Sequence, residues 1–151
     1  MRRVFADTSY WLAVANPKDQ WALAASIATA SIGDANIVTT EEVLAEFLDS
    51  YTRVSSAVRR QAAEIVRQIL ADPTVVVVAQ SHESFLAGLQ LYERRLDQGY
   101  SLTDCVSMNC MRARKISDAL TSDQHFAVEG LRSCSPSRKR QATPQLLLSR
   151  E

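Results

Sequence analysis

The sequence lacks any excess of one charge: across its 151 residues 17 basic side chains balance 17 acidic ones. No global field marks it as a nucleic-acid or membrane binder, so a charged interaction surface has to be local. It also lacks a long apolar run. The most hydrophobic stretches, near 75–79 and 105–113, fall well short of the roughly 20 residues that span a bilayer. The start, MRRVFADTSYWLAVAN, is interrupted by Asp7 and lacks a clean small-residue cleavage site, so it reads as a first strand and helix rather than a leader. Cysteines number three, Cys105, Cys110 and Cys134, and the first two do not face each other on one helix; a reduced, cytoplasmic protein fits this. The two histidines, His82 and His125, lie far apart without zinc-ligand spacing. A zinc centre is therefore not expected.

What is present is an alternation of short apolar runs and helical periodicities. Residues 3–6 read as a buried strand, with Asp7, Thr8 and Ser9 as cap residues for a helix carrying Tyr10, Trp11, Leu12 and Val14. A second helix is expected from Lys18 to about Ser31, stopped by Gly33. Ile37 and Val38 form a strand. Thr39 and Glu42 have capping-box spacing before a helix through Val43, Leu44, Phe47, Leu48 and Tyr51. An amphipathic helix over 57–70 ends at Asp72-Pro73. TVVVVA at 74–79, β-branched and apolar throughout, reads as a central parallel strand covered on both faces.

Phe85, Leu86, Leu89, Tyr92 and Leu96 recur at helical spacing before Gly99, and Ser101 and Asp104 open a largely buried helix with S-x-x-D spacing. Ala119, Leu120 and Thr121 form a last short strand. Such alternation predicts an α/β class with a parallel sheet between helical layers. One domain over 1–131 is expected, large enough for a real core. From 132 to 151 the composition changes to a proline-containing basic tail with Arg138, Lys139 and Arg140, which offers either a phosphate-binding patch or a solvated tail.

Acids stand at the ends of these elements. Asp7 follows the first strand, Asp104 opens a helix, Asp123 follows the last strand, and Glu46 lies one turn into the helix of EEVLAEFLDSY. In an open parallel sheet ligands collect beyond the carboxyl ends of the strands, which brings at least three of these acids to one rim. Taken singly each aspartate has an ordinary alternative, a helix N-cap contributing about 1 kcal/mol. Glu46 has another, a solvated helix position. Gathered together, like charges repel by about 4 kcal/mol per pair at 4 Å and an effective dielectric near 20. A divalent cation relieves that repulsion, and an oxygen-only donor set favours Mg²⁺ or Mn²⁺.

The segments FADTSYW, EEVLAEFLDSY, YSLTDCVSM and ALTSDQHF, in this order, resemble the four acidic motifs of PIN-domain ribonucleases, and most closely the VapC-type toxins of bacterial toxin-antitoxin pairs. The resemblance spans about residues 3–130. It implies a PIN-like three-layer sandwich with a mostly parallel sheet of four to five short strands. It carries the catalytic and metal-binding acids onto Asp7, Glu46, Asp104 and Asp123, and implies RNA as substrate, Mg²⁺ as cofactor with Mn²⁺ as substitute, a homodimer and a cognate antitoxin. Two departures stand out. GLRSCSPSRKRQ replaces the final strand common in relatives, and DQWALAA stands where relatives often have a histidine early in the second helix.

Around the acids, Thr8, Ser9, Thr121 and Ser122 either fix carboxylate rotamers, bind a phosphate oxygen or simply cap turns. His125 is a candidate substrate contact or an uninvolved surface residue. Tyr10, Trp11 and Trp21 are candidates for base stacking or, at helical spacing, for core contacts. Two rival classes remain: a PIN-like interaction module without catalysis, and a receiver-type signalling domain, which TVVVVA ending in Gln80 and Ser81 argues against.

Overall fold

The computed structural model describes residues 1–133. Five parallel strands, β1 (Arg3–Ala6), β2 (Asn36–Thr40), β3 (Val75–Val78), β4 (Asp118–Leu120) and β5 (Arg132–Ser133), lie in the order β3-β2-β1-β4-β5. Helices α1 (Thr8–Ala15), α2 (Ala22–Ile32), α3 (Glu41–Asp49), α4 (Ser56–Ala71), α5 (His82–Arg94), α6 (Leu102–Ala113) and α7 (His125–Val128) connect and flank them. The α/β expectation holds, and the chain doubles back at β1: it leaves towards β2 and β3, then returns on the other side as β4. Val4, Phe5 and Ala6 of this central strand are fully buried, and Phe5 stacks on Phe126 of α7 at 6.5 Å.

Local chemistry sets several element boundaries away from the periodicity. Asn16 Oδ1 accepts from the Lys18 amide and Asp19 Oδ1 from the Trp21 amide, and these local bonds compete with helix, so α2 starts at Ala22 rather than Lys18. Thr40, not Thr39, caps α3 by accepting from the Val43 amide, while the Thr39 hydroxyl is turned to β1 and α1, donating to the Ala6 carbonyl at 2.9 Å and accepting from Trp11 Nε1. Trp11 and Tyr10 are buried in the core, which decides against base stacking for both; Trp11 Nε1 donates to Thr39.

Three larger differences concern the edges. Among the described residues the strand of valines lies at the edge of the sheet, paired only with β2, and Val76 is 47 % exposed. Its β-branched composition reports strand propensity, which is equally satisfied at an edge; it does not report position in the sheet. The helix expected through Phe85, Leu86, Leu89, Tyr92 and Leu96 forms as α5 but ends at Arg94, and these five side chains are substantially exposed. What α5 presents to α6 is Gly88, where an added Cβ would stand 2.7 Å from Val106 Cγ2. Finally, Arg132 and Ser133, expected in the tail, form β5 against Asp118 and Ala119, so a short closing strand does follow α7. Arg132 pairs with Asp118 at 2.8 Å. Arg138, Lys139, Arg140 and Cys134 lie outside the described residues.

Candidate metal centre

Register builds the site. β1 and β4 pair with Ala6 beside Leu120, so the next residues, Asp7 and Thr121, emerge side by side at the carboxyl ends of the two strands, where the chain direction switches. The Asp7 amide bonds the Leu120 carbonyl, and the Thr121 hydroxyl donates to Asp7 Oδ2 at 2.9 Å. That same hydroxyl oxygen accepts from the Asp123 amide at 3.0 Å, and Ser9 Oγ lies 3.3 Å away while accepting from the Ser122 amide. Thr121 and Ser9 thus tie the β4 loop to the start of α1. Of the readings left open for these hydroxyls, Thr121 combines two, fixing the Asp7 carboxylate and capping the turn at Asp123.

Asp7 occupies the N-cap position of α1 with extended backbone, yet its side chain makes no cap bond. It is 4 % exposed, and Oδ1 is buried without a hydrogen-bond partner. Burial is the main reason its pKa rises from 3.8 to about 7; the charges of Asp104 and Glu46 add to this, while the Thr8 amide and Thr121 hydroxyl oppose it. A cap would show the reverse, a partnered carboxylate held ionised.

Asp104 is 8 % exposed and takes part in a cap, as the N3 partner of the N-cap Ser101 rather than as the N-cap itself. Ser101 and Asp104 form a reciprocal capping box at 2.9 and 3.0 Å, which orients the carboxylate on the first turn of α6. Burial nonetheless raises its pKa, with Asp123 and Glu46 adding to the rise against the bonds from Ser101. Asp123 Oδ1 accepts from the His125 amide at 2.9 Å, an Asx turn that starts α7. Glu46, half-buried on α3, acts electrostatically on both Asp7 and Asp104. Asp104 thus links the acids singled out in the sequence: it is coupled by charge to Asp7, Asp123 and Glu46, and Glu46 acts on Asp7 as well.

A fifth residue joins them. His125 Nδ1 lies 3.2 Å from Asp123 Oδ1 and 3.7 Å from Asp104 Oδ2, and Asp104, Asp123 and His125 each offer a ligand atom within 4.8 Å of the others. Sequence distance from His82 said nothing about distance from the acids: the Asx turn folds His125 back onto Asp123 and Asp104. The site fits a divalent cation on its own geometry, since Asp104, Asp123 and His125 offer convergent ligand atoms, Asp7 Oδ1 is a buried acceptor without a hydrogen-bond partner, and neighbouring carboxylates add to the upward pKa shifts of Asp7 and Asp104.

The family model described as PIN domain matches residues 4–128. Among solved structures, the chain is similar to VapC20 of Mycobacterium tuberculosis, described as a sarcin-ricin loop cleaving toxin, with 25% identity, a TM-score of 0.76, and 85% of this chain and 95% of that chain covered. No curated protein matches the sequence.

Proposed function

From the premise that this chain belongs to the PIN-domain family, we propose that it is a metal-dependent endoribonuclease, the toxin of a toxin-antitoxin pair, with Asp7, Glu46, Asp104 and Asp123 as its catalytic and metal-binding residues. The observation that carries this reading is Asp7: a carboxylate at a cap position that does not cap, buried beside other acids, with one oxygen left for a ligand. Asp7, Asp104 and Asp123 would hold the cation, Mg²⁺ with Mn²⁺ as substitute. When bound, it neutralises the pocket and stabilises negative charge developing on a phosphodiester under attack by water.

The protein's own part is positioning. Thr121 holds the Asp7 rotamer from one side, and the Ser101 capping box holds Asp104 from the other. Glu46, less buried than either, would accept a hydrogen bond from the attacking water and align it for in-line displacement, leaving 5′-phosphate and 3′-hydroxyl ends; its charge acting on both Asp7 and Asp104 supports this role. Self-association is supported by the exposed apolar face of α5, and docking of an antitoxin by Val14, Leu23 and Ile27 exposed on α1 and α2. Among the described residues no helix is long and apolar enough to cross a membrane, in keeping with action in the cytoplasm.

The test is RNA cleavage by the full chain. Chelation with EDTA is expected to abolish it and Mg²⁺ or Mn²⁺ to restore it; cleavage indifferent to EDTA rejects the proposal. Failure of either ion to bind with all four acids intact would instead favour the non-catalytic interaction module.

A further inference from the structure

Resting on that reading of the acidic rim, we propose that His125 is a nitrogen donor to the cation site and shifts its preference from Mg²⁺ towards Mn²⁺. Donor atoms held about 2.1 Å from one ion stand about 3.0 Å apart along an octahedral edge and about 3.4 Å apart along a tetrahedral one. The separations of Nδ1 from Asp123 Oδ1 and Asp104 Oδ2, 3.2 and 3.7 Å, are those of neighbouring corners of one coordination shell with little adjustment. Nδ1 is buried and points at the two carboxylates without a bond of hydrogen-bonding geometry, and in the neutral tautomer protonated on Nε2 its lone pair is available to a cation between them. Asp7 Oδ1, on a carboxylate coupled by charge to Asp104, is likewise buried without a hydrogen-bond partner.

The ring is also held in place. Tyr100, itself buried, packs edge-on against it at 5.1 Å and 64°. The Tyr100 hydroxyl donates to Glu129 Oε1 at 2.8 Å, and Glu129 is fastened by Arg95 at 3.2 Å and Arg112 at 2.6 Å. The backbone of His125 is fixed through its amide bond to Asp123. A ring anchored at both ends is a preorganised ligand, and imidazole favours Mn²⁺ and later transition ions, whereas Mg²⁺ selects oxygen.

The experiment uses the EDTA-treated full chain without RNA, titrated calorimetrically with MnCl₂ and MgCl₂, and the Mn²⁺ complex studied by pulsed EPR. Wild type is expected to bind Mn²⁺ at least about tenfold tighter than Mg²⁺ and to show ¹⁴N coupling from a coordinated imidazole. His125→Asn, which puts an oxygen near the place of Nδ1, is expected to lose that coupling and most of the Mn²⁺ preference while Mg²⁺ affinity stays within about threefold. Mn²⁺ bound to wild type without ¹⁴N coupling overturns the proposal, whatever the variant does. An equal gain for both ions in His125→Asn also overturns it, since it would make His125 a competing cation rather than a ligand. Nitrogen coupling with no RNA cleavage would sustain His125 as a ligand and refute the nuclease reading separately.

Discussion

Asp7→Asn isolates the cost of the acidic pocket. The pKa of Asp7 is 3.8 ordinarily and about 7 in the folded protein. Between those values the unfolded chain gives up its Asp7 proton and the folded chain keeps it, so the folded state binds more protons and stability falls as pH rises. The contribution is whole below pH 4, is lost at about 1.4 kcal/mol per pH unit, and is gone above pH 7. Three units come to about 4 kcal/mol in metal-free protein. Asparagine cannot ionise and keeps an oxygen to accept from Thr121, but its amide replaces the unpartnered Oδ1 with an unpartnered donor costing about 1–3 kcal/mol. The variant is therefore expected to melt at or below wild type at pH 4 and above it at pH 8, by several degrees at about 2–4 °C per kcal/mol. Thermal melts in EDTA across pH 4 to 8.5 measure this, and Mg²⁺ or Mn²⁺ should then raise wild type far more than the variant. A wild-type-minus-variant difference that stays flat with pH refutes the buried-carboxylate account.

Other outcomes follow from the same geometry. Asp104→Asn keeps an acceptor for the Ser101 amide, so its metal-free melting temperature is expected to stay level or rise while cleavage disappears; Ser101→Ala, which breaks the box, should cost about 1 kcal/mol. Thr121→Val strips the donor from Asp7 and the acceptor from the Asp123 amide, and should cost about 1–3 kcal/mol in chemical denaturation and lower cation affinity about tenfold or more by calorimetry. Gly88→Val forces α5 from α6 at Val106 and is expected to destabilise by about 1–3 kcal/mol, read from the urea midpoint.

Much of the fold was legible because periodicity and strand-end chemistry are local. The alternating class, β1, the helix started by Ser101 and the three aspartates at element ends follow from residues within a few positions of one another. What escaped was competitive or positional. Thr39 and Thr40 are equally good caps in a string of letters; only the neighbouring β1 carbonyl commits one of them elsewhere. Glu46 differs little from Glu42 on a helical wheel, and its place beside Asp7 and Asp104 was carried by resemblance rather than by spacing.

Sequence alone determined which acids lie at strand ends and helix starts, since capping, periodicity and turn preferences act over a few residues of chain. Tertiary structure alone decided that the valine strand is an edge, that α5 leaves an apolar face open, that Asp7 is buried without capping, and that His125 turns onto Asp104 and Asp123. Those properties are relations between segments distant along the chain, set by strand order and the β1–β4 register, and local propensity is blind to both.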